Sequence, residues 1–118
     1  MMKIIKPDDA PRSNRKHPRF EFVKDVGVRI GPQLMFGRTE NLCRDGAFVK
    51  VRARLQTESH VGLLLTVPGI TEICEVPCEV RWTDERGGAG LKFRQLRPDV
   101  MSGLVQLERK FGHKGPVR

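Results

Sequence analysis

The chain has 118 residues, of which 38% are hydrophobic, and its formal net charge is +8. This length fits one domain and is too short for two. No apolar run approaches the roughly eighteen residues of a transmembrane helix, and the N-terminus lacks the core of a signal peptide, so we expect a cytoplasmic protein without a membrane span.

The excess positive charge lies at the two ends of the chain. Residues 1–19 hold six Lys or Arg and two Asp, and residues 109–118 hold four Lys or Arg and no acid, so each segment carries +4. The residues between them balance to zero. A basic arm attracts a compact anion such as a phosphate, a nucleotide or nucleic acid, but a solvated tail that aids solubility explains the charge equally well.

Residues 1–19 predict a flexible basic arm, because prolines interrupt them and no hydrophobic period follows Ile5. Pro18 disfavours a helical conformation at His17. We therefore expect the segment from Arg15 to Arg19 to be an extended or turning loop.

A period of two begins at Phe20 and predicts the first three strands. Residues 20–30 form the first strand, Gly31-Pro32 turns the chain, and Gln33 to Glu40 return as the second strand of a hairpin. The polar segment from Asn41 to Gly46 predicts a tight turn, whose final glycine supplies an unusual backbone angle. The inward row of a short third strand is Ala47, Val49 and Val51.

Three more strands follow. Residues 61–67 predict the fourth, which Pro68-Gly69 ends. The fifth alternates most clearly, and Pro77, which cannot donate to a ladder, predicts an edge or a bulge in it. The sixth follows a turn at Gly87-Gly88. The predicted inward rows are Cys74, Val76, Cys78, Val80 and Trp82 in the fifth strand, and Ala89, Leu91 and Phe93 in the sixth.

The last element is a helix that begins at Pro98, with Asp99 at its positive end. Gly112 is its expected C-cap. The fold class is therefore mainly β: a six-stranded antiparallel β-barrel with a C-terminal α-helix over residues 20–112, followed by a basic tail at 113–118. The apolar stripe of the helix is Val100, Leu104, Leu107 and Phe111.

No residue pattern predicts catalysis, a metal or a cofactor. The three cysteines are an odd number without the spacing of a disulfide framework, and neither they nor the three histidines form the donor pairs of a zinc site. The chain has no nucleophile elbow and no P-loop. Arg44 could activate Cys43, but an ordinary thiol is the favoured interpretation. We therefore expect that the protein is not an enzyme.

Two motifs stand before and after the first hairpin. Arg15-Lys16-His17-Pro18-Arg19 is an R-x-x-x-R, and Asn41-Leu42-Cys43-Arg44-Asp45-Gly46 begins 22 residues beyond Arg19. With Gly90-Leu91-Lys92-Phe93 near the last strand, their order resembles the PilZ family, whose pattern is R-x-x-x-R, [D/N]-x-S-x-x-G and G-x-x-F. The resemblance covers residues 12–111 and implies a PilZ-like barrel of the split-barrel type.

The resemblance implies a receptor for cyclic di-GMP whose ligand contacts come from Arg15, Arg19, Asn41, Cys43 and Gly46. Guanidinium groups suit both the phosphates and the O6 and N7 edge of guanine. The amide of Asn41 can pair with a guanine edge. Cys43 stands where the family usually has Ser, and the loss of one hydrogen bond would cost about 0.5–1.5 kcal/mol of binding free energy.

We expect cyclic di-GMP, as one or two nucleotides per chain, to order the basic arm and so change the surface offered to a downstream protein partner, in motility or biofilm signalling. Two alternatives stay open. One is a PilZ-like interaction module that has lost nucleotide binding, favoured by Cys43. The other is a small nucleic-acid-binding barrel, favoured by the basic termini but opposed by aromatic residues that mostly lie on predicted inward faces.

Overall fold

The computed structural model describes residues 19–112, which form six antiparallel strands and one helix. The strands close into a barrel in the order β1-β2-β3-β6-β5-β4. The predicted six-stranded antiparallel barrel with a C-terminal helix is therefore confirmed. Arg15, the rest of the arm before Arg19 and the tail at 113–118 lie outside the described residues. The elements are β1 Phe20–Ile30, β2 Gln33–Leu42, β3 Gly46–Val51, β4 His60–Leu65, β5 Cys74–Thr83, β6 Gly88–Phe93 and α1 Pro98–Phe111.

The inward row of each strand fills the barrel. Thr39 is the one buried polar residue within the described part of the chain. Its hydroxyl donates to the carbonyl of Phe22 at 2.6 Å and accepts from the amide of Lys24 at 3.0 Å, across an irregularity in β1. This satisfies backbone groups that the β1–β2 ladder leaves unpaired. The side chains with no exposed surface include Val28, Leu42, Val49, Leu63, Cys78 and Val80.

Helix α1 covers the end of the barrel at which β1, β3 and β5 begin. Its Gly103 fits against Val67, just after β4. The rings of Phe111 and Phe22 pack edge to face, with centroids 5.6 Å apart. No helix within residues 19–112 is long and apolar enough to cross a bilayer. The predicted apolar stripe is confirmed, since it contributes Val100, Leu104 and Leu107 to the core.

Gly112 is the C-cap of α1, as predicted, but its backbone is right-handed, with a φ of −68°. The amide of Gly112 donates to the carbonyl of Glu108, which continues the helical bonding pattern by one residue. The cap therefore does not need the left-handed conformation that favours glycine at such positions.

A bulge in β5 places Trp82 on the face opposite to the predicted one. The register with β6 shifts between Val80 and Trp82, so Val80 points into the core while Trp82 points outward over Gly90. The prediction that Trp82 belongs to the inward row is wrong because the extra residue reverses the alternation. Pro77 is not at this bulge. The regular β5–β6 ladder ends at Cys78, and the carbonyl of Pro77 accepts one further bond from the amide of Arg94 at 2.8 Å. The predicted edge therefore begins at the Pro77 nitrogen, which has no hydrogen to donate.

A second bulge, in β2, changes the direction of the Asn41 side chain. The β2–β3 register shifts between Thr39 and Asn41, so these two residues do not share a face as unbroken alternation requires. Thr39 is buried inside the barrel, whereas Asn41 pairs with exposed Glu21 on one side and with Phe48 on the other. The bulge therefore brings the Asn41 side chain to the outer surface.

Candidate functional site

A groove on the outer face of the barrel brings together residues from both sequence motifs. Arg19 from the first motif lines it together with Asn41, Cys43 and Gly46 from the second. The groove has a volume of about 190 Å³. A more open groove of about 350 Å³ also contains Arg19 and Asn41, so the two form a continuous concave surface. Arg15, the fifth predicted site residue, lies outside the described residues.

The turn between β2 and β3 is shorter than predicted. Asn41 belongs to β2 and Gly46 to β3, so residues 43–45 make the turn. The amide of Cys43 donates to the carbonyl of Gly46 at 2.9 Å, and the amide of Asp45 donates to the Cys43 thiol sulfur at 3.3 Å. The amide of Phe93 donates to the Asp45 carbonyl at 2.7 Å. In this turn the thiol is the local acceptor that a Ser hydroxyl provides in similar turns.

The turn is also held to the helix. Arg44 donates from Nε to Oε1 of Glu108 at 2.6 Å, and both side chains are largely covered, at 31% and 20% exposure. Arg44 thus points away from the groove toward α1. This ion pair fixes the turn that carries Cys43 against the element that closes the barrel.

Gly46 has a different role from the predicted one. The glycines of the described chain that adopt a left-handed conformation are Gly31, Gly69 and Gly87, and Gly46 is not among them. Instead, a β-carbon at Gly46 would overlap the carbonyl oxygen of Leu91 in β6. The expectation of an unusual backbone angle is wrong, because the glycine is needed for the close approach of β3 to β6.

Two aromatic rings form an outward surface that the sequence pattern did not predict. Phe48 and Trp82 both line the groove, with ring centroids 5.1 Å apart and planes tilted by 31°. We call this pair the aromatic platform. The expectation that the aromatic residues leave no outward stacking surface is therefore wrong. Phe48 was detectable, because it alternates with buried Ala47 and Val49, but the bulge concealed Trp82.

The groove carries more positive than negative side chains. Arg19, Arg81 and Lys92 line it, against Asp45 as the one acidic lining residue among the described residues. Arg81 also pairs with Glu79, through an Nη1–Oε1 distance of 3.5 Å. A net positive rim beside aromatic faces suits an anion that also has a planar apolar part.

The chemistry of the groove is that of binding. It offers guanidinium donors, an amide and two aromatic faces on one surface. Within residues 19–112, no group of three or more His, Cys, Asp or Glu could hold a metal ion. These side chains can pair with phosphates, read the edge of a base and stack on its face.

The PilZ domain family matches residues 13–109 of the chain. No curated protein sequence matches the chain itself. The match includes Arg15, Arg19 and the whole segment from Asn41 to Gly46. It extends to the last turns of α1, and so covers the barrel and most of the helix.

Solved structures show the same fold. The inhibitor of motility MotI/DgrA of Bacillus subtilis is 17% identical with a TM-score of 0.71, and the alignment covers 90% of this chain and 57% of that one. The PilZ domain with c-di-GMP of YcgR from Escherichia coli is 10% identical with a TM-score of 0.64, covering 86% and 93%. The PilZ domain of CeSA from a cellulose-synthesizing bacterium is 20% identical with a TM-score of 0.59, covering 76% and 93%.

Some of these proteins are longer than the chain described here. It spans little more than half of MotI/DgrA, and 47% of YcgR in the structure of that protein in complex with c-di-GMP. At such low identities the similarity establishes the shared fold.

Proposed function

The chain belongs to the PilZ domain family, and from this we propose that it is a cytoplasmic receptor for cyclic di-GMP rather than an enzyme. The observation that carries the proposal is the convergence of Arg19 with Asn41, Cys43 and Gly46 on one groove. A further support is the family member YcgR, whose PilZ domain was solved with c-di-GMP.

In the proposed complex, Arg15 and Arg19 grip the phosphates and the O6 and N7 edge of a guanine, as planar guanidinium forks are suited to do. Asn41 pairs with a guanine edge. One base stacks on the aromatic platform, an interaction worth about 1–3 kcal/mol per base in nucleic-acid complexes. A ligand with two guanines needs more room than the smaller groove, so we place its second half over the neighbouring groove that also contains Arg19.

We further propose that the bound nucleotide fixes the basic arm on the barrel, because Arg15 belongs to the arm and Arg19 to the groove. The arm before Arg19 lies outside the described residues, so its ordering stays a prediction. An ordered arm presents a new surface, and a protein partner would read this surface as the signal. MotI/DgrA, named as an inhibitor of motility, makes a motility pathway the natural first place to look for that partner.

Calorimetric titration of the full chain with cyclic di-GMP tests the proposal. We expect saturable binding to the unaltered chain and at least a tenfold loss of affinity in Arg19→Ala, which corresponds to about 1.4 kcal/mol. Arg109→Ala is the matched control, since Arg109 is an exposed arginine in the last turn of α1. It should bind within twofold of the unaltered chain.

Cyclic di-AMP supplies the ligand control. It keeps both phosphates and lacks the guanine O6, so it should bind at least tenfold more weakly if the arginines and Asn41 read guanine edges. Equal affinity for the two nucleotides would show that the groove recognises the phosphates and not the guanine bases. Absence of cyclic di-GMP binding in a chain that melts cooperatively would refute the proposal.

The aromatic platform favours a second candidate function, the binding of single-stranded nucleic acid. Stacking faces beside cationic side chains are the elements of such a surface. A titration with a random single-stranded oligonucleotide at several salt concentrations separates the two functions, since phosphate contacts produce a steep salt dependence. A chain that binds neither ligand would instead be a PilZ-like interaction module.

A further inference from the structure

A second groove lies at the opposite end of the β3–β6 ladder. It is lined by Val51 at the end of β3, by residues 52–55 after it, and by residues 83–89 of the β5–β6 hairpin. Its volume is about 450 Å³. The candidate nucleotide groove lies at the Gly46 end of β3 and this groove at the Val51 end. Strand geometry separates those ends by roughly 17 Å.

The second groove is rich in arginine side chains without acidic partners. Arg52, Arg54 and Arg86 are exposed and line it, and none has a carboxylate within 4.0 Å among the described residues. The carboxylate of Asp84 is engaged locally, because its Oδ1 accepts from the amides of Arg86 at 2.8 Å and of Gly88 at 2.7 Å. Three guanidinium groups are therefore available to an external anion.

An exposed aromatic side chain lies near the same end of the β2–β3 ladder as these arginines. Phe36 is 80% exposed on the outer face of β2, and Leu34, two residues earlier on the same face, is 44% exposed. Gly37 and Val51 are the last pair of the β2–β3 ladder, so Phe36 and Arg52 are the next residue of each segment at the same end of that ladder. Exposed aromatic and arginine side chains are the residue types that contribute most to protein interfaces.

We propose that Arg52, Arg54 and Arg86, together with Phe36 and Leu34, form a docking surface for an acidic segment of a partner protein that carries an apolar side chain. The arginines would pair with carboxylates of the segment, and Phe36 would pack against its apolar residue. The proposal stands apart from nucleotide binding, because it uses different residues at the other end of the ladder.

A protein segment fits this surface better than a nucleic acid does. Asp84 and Glu85 line the same groove as the arginines and would repel the continuous negative charge of a phosphate backbone. A peptide can place its carboxylates at the arginines and leave neutral groups opposite the acids. Leu34 adds an aliphatic surface, which suits an apolar side chain and has no π-face for a base to stack on.

The surface lies on the same outer face as the candidate nucleotide site. Three rows of register neighbours separate Phe36 from the row that holds Phe48 and Gly90, and the middle one, which contains Arg38, Lys50 and Gly88, faces outward. Arg52 is four residues from Phe48 along the chain, roughly 13 Å in strand geometry, so a partner docked at the arginines would lie on the same face as a bound nucleotide without covering its groove.

The test is a titration of the isotope-labelled full chain with a synthetic peptide of alternating Glu and Leu, followed by amide chemical shifts. This method detects millimolar affinity, so it does not require the natural partner. We expect the shifts to concentrate at Phe36, at residues 52–54 and at residues 84–88. The same peptide with Lys in place of Glu should produce no saturable shifts.

Charge-reversal variants make the assignment specific. Arg52→Glu combined with Arg86→Glu should weaken peptide binding at least tenfold, and Phe36→Ser should weaken it several-fold. The matched control combines Lys24→Glu with Arg109→Glu, which reverses two exposed charges elsewhere on the chain. Each variant is first checked for an unchanged melting transition.

Three outcomes would overturn the proposal. The first is the absence of shifts at millimolar Glu-Leu peptide. The second is an equal loss of affinity in the control variant, which would show that the net charge of the chain, and not these arginines, determines the binding. The third is tighter binding of a single-stranded oligonucleotide with the same dependence on Arg52 and Arg86, which would assign the surface to nucleic acid. Failure of cyclic di-GMP to bind leaves all three readouts unaffected.

Discussion

The indole ring of Trp82 occupies the space in front of Gly90, so a β-carbon on residue 90 would overlap the ring. Phe48 lies on β3, the strand that pairs with β6 on the side away from Trp82, and its ring packs against the same indole. Gly90 is the first residue of the G-x-x-F motif. Its lack of a side chain lets Trp82 lie across β6 toward Phe48, and so builds the aromatic platform.

Gly90→Ala should therefore displace Trp82. We expect a loss of about 1–3 kcal/mol in the free energy of unfolding, the usual cost of overpacking, and weaker cyclic di-GMP binding. Urea denaturation measures the first effect. Trp82 is the one tryptophan of the chain, so its fluorescence reports the displacement directly.

Gly112→Ala is the control, because its added β-carbon would meet no atom nearer than 3.4 Å and its φ is −68°. It should leave both the stability and the emission spectrum nearly unchanged. A Gly90→Ala chain as stable as the control would show that Trp82 does not need the space above residue 90.

The barrel and its helix could be predicted from the sequence, because a period of two fixes which residues of each strand face the core. The outward position of Trp82 could not, because a bulge adds one residue without leaving a local mark in the alternation. The position of Asn41 could not be predicted either. Its motif indicated a turn, whereas Asn41 belongs to β2 and a bulge turns its side chain to the outer surface. In both cases strand pairing, which is non-local, decides the orientation.

Gly46→Asn tests why position 46 is glycine. Asn tolerates a left-handed backbone better than other residues with a β-carbon, so a turn role would make Gly46→Asn milder than Gly46→Ala. Because any β-carbon would overlap the Leu91 carbonyl, we expect both variants to lose at least about 1–3 kcal/mol of unfolding free energy. Urea denaturation of the pair decides the matter. A clearly more stable Asn variant would favour the turn role.

The ion pair between Arg44 and Glu108 should couple the β2–β3 turn to α1. A double-mutant cycle with Arg44→Ala and Glu108→Ala should measure a coupling energy of about 1 kcal/mol, at the upper end for surface pairs, because both groups are largely covered. The control cycle uses Arg38 and Asp25, which are 3.9 Å apart and 61% and 94% exposed. Coupling there should be near zero, and equal values in the two cycles would contradict the prediction.

Asp84 should make the β5–β6 hairpin sensitive to acid. The amide of Gly88 is the largest cause that lowers the pKa of Asp84 below its ordinary value of 3.8, followed among the favourable contacts by the amide of Arg86. A lowered folded-state pKa means that the stabilisation is complete above the unfolded pKa and disappears as the pH falls through the folded one. The difference in unfolding free energy between the unaltered chain and Asp84→Asn should thus be greatest well above the ordinary pKa of 3.8 and shrink as the pH falls below it. A difference that stays constant from neutral to acidic pH would contradict the assignment.

The three thiols should differ sharply in their reactivity toward iodoacetamide. Cys74 and Cys78 are buried, and burial raises the pKa of the Cys78 thiol to about 12, whereas Cys43 is half-buried in the candidate groove. Because the thiolate is the reacting form and must be accessible, mass spectrometry should find one modified cysteine in the folded chain and three in urea. Modification of Cys78 in the folded chain would contradict its burial.

The same reaction reports on the groove itself. Cyclic di-GMP bound across Cys43 should slow its alkylation in the unaltered chain and leave the rate unchanged in Arg19→Ala, whose binding is weakened. Since the readout is a covalent label on one lining residue, it locates the nucleotide as well as detecting it. A nucleotide that binds by calorimetry but leaves the Cys43 rate unchanged would have to occupy a different part of the barrel surface.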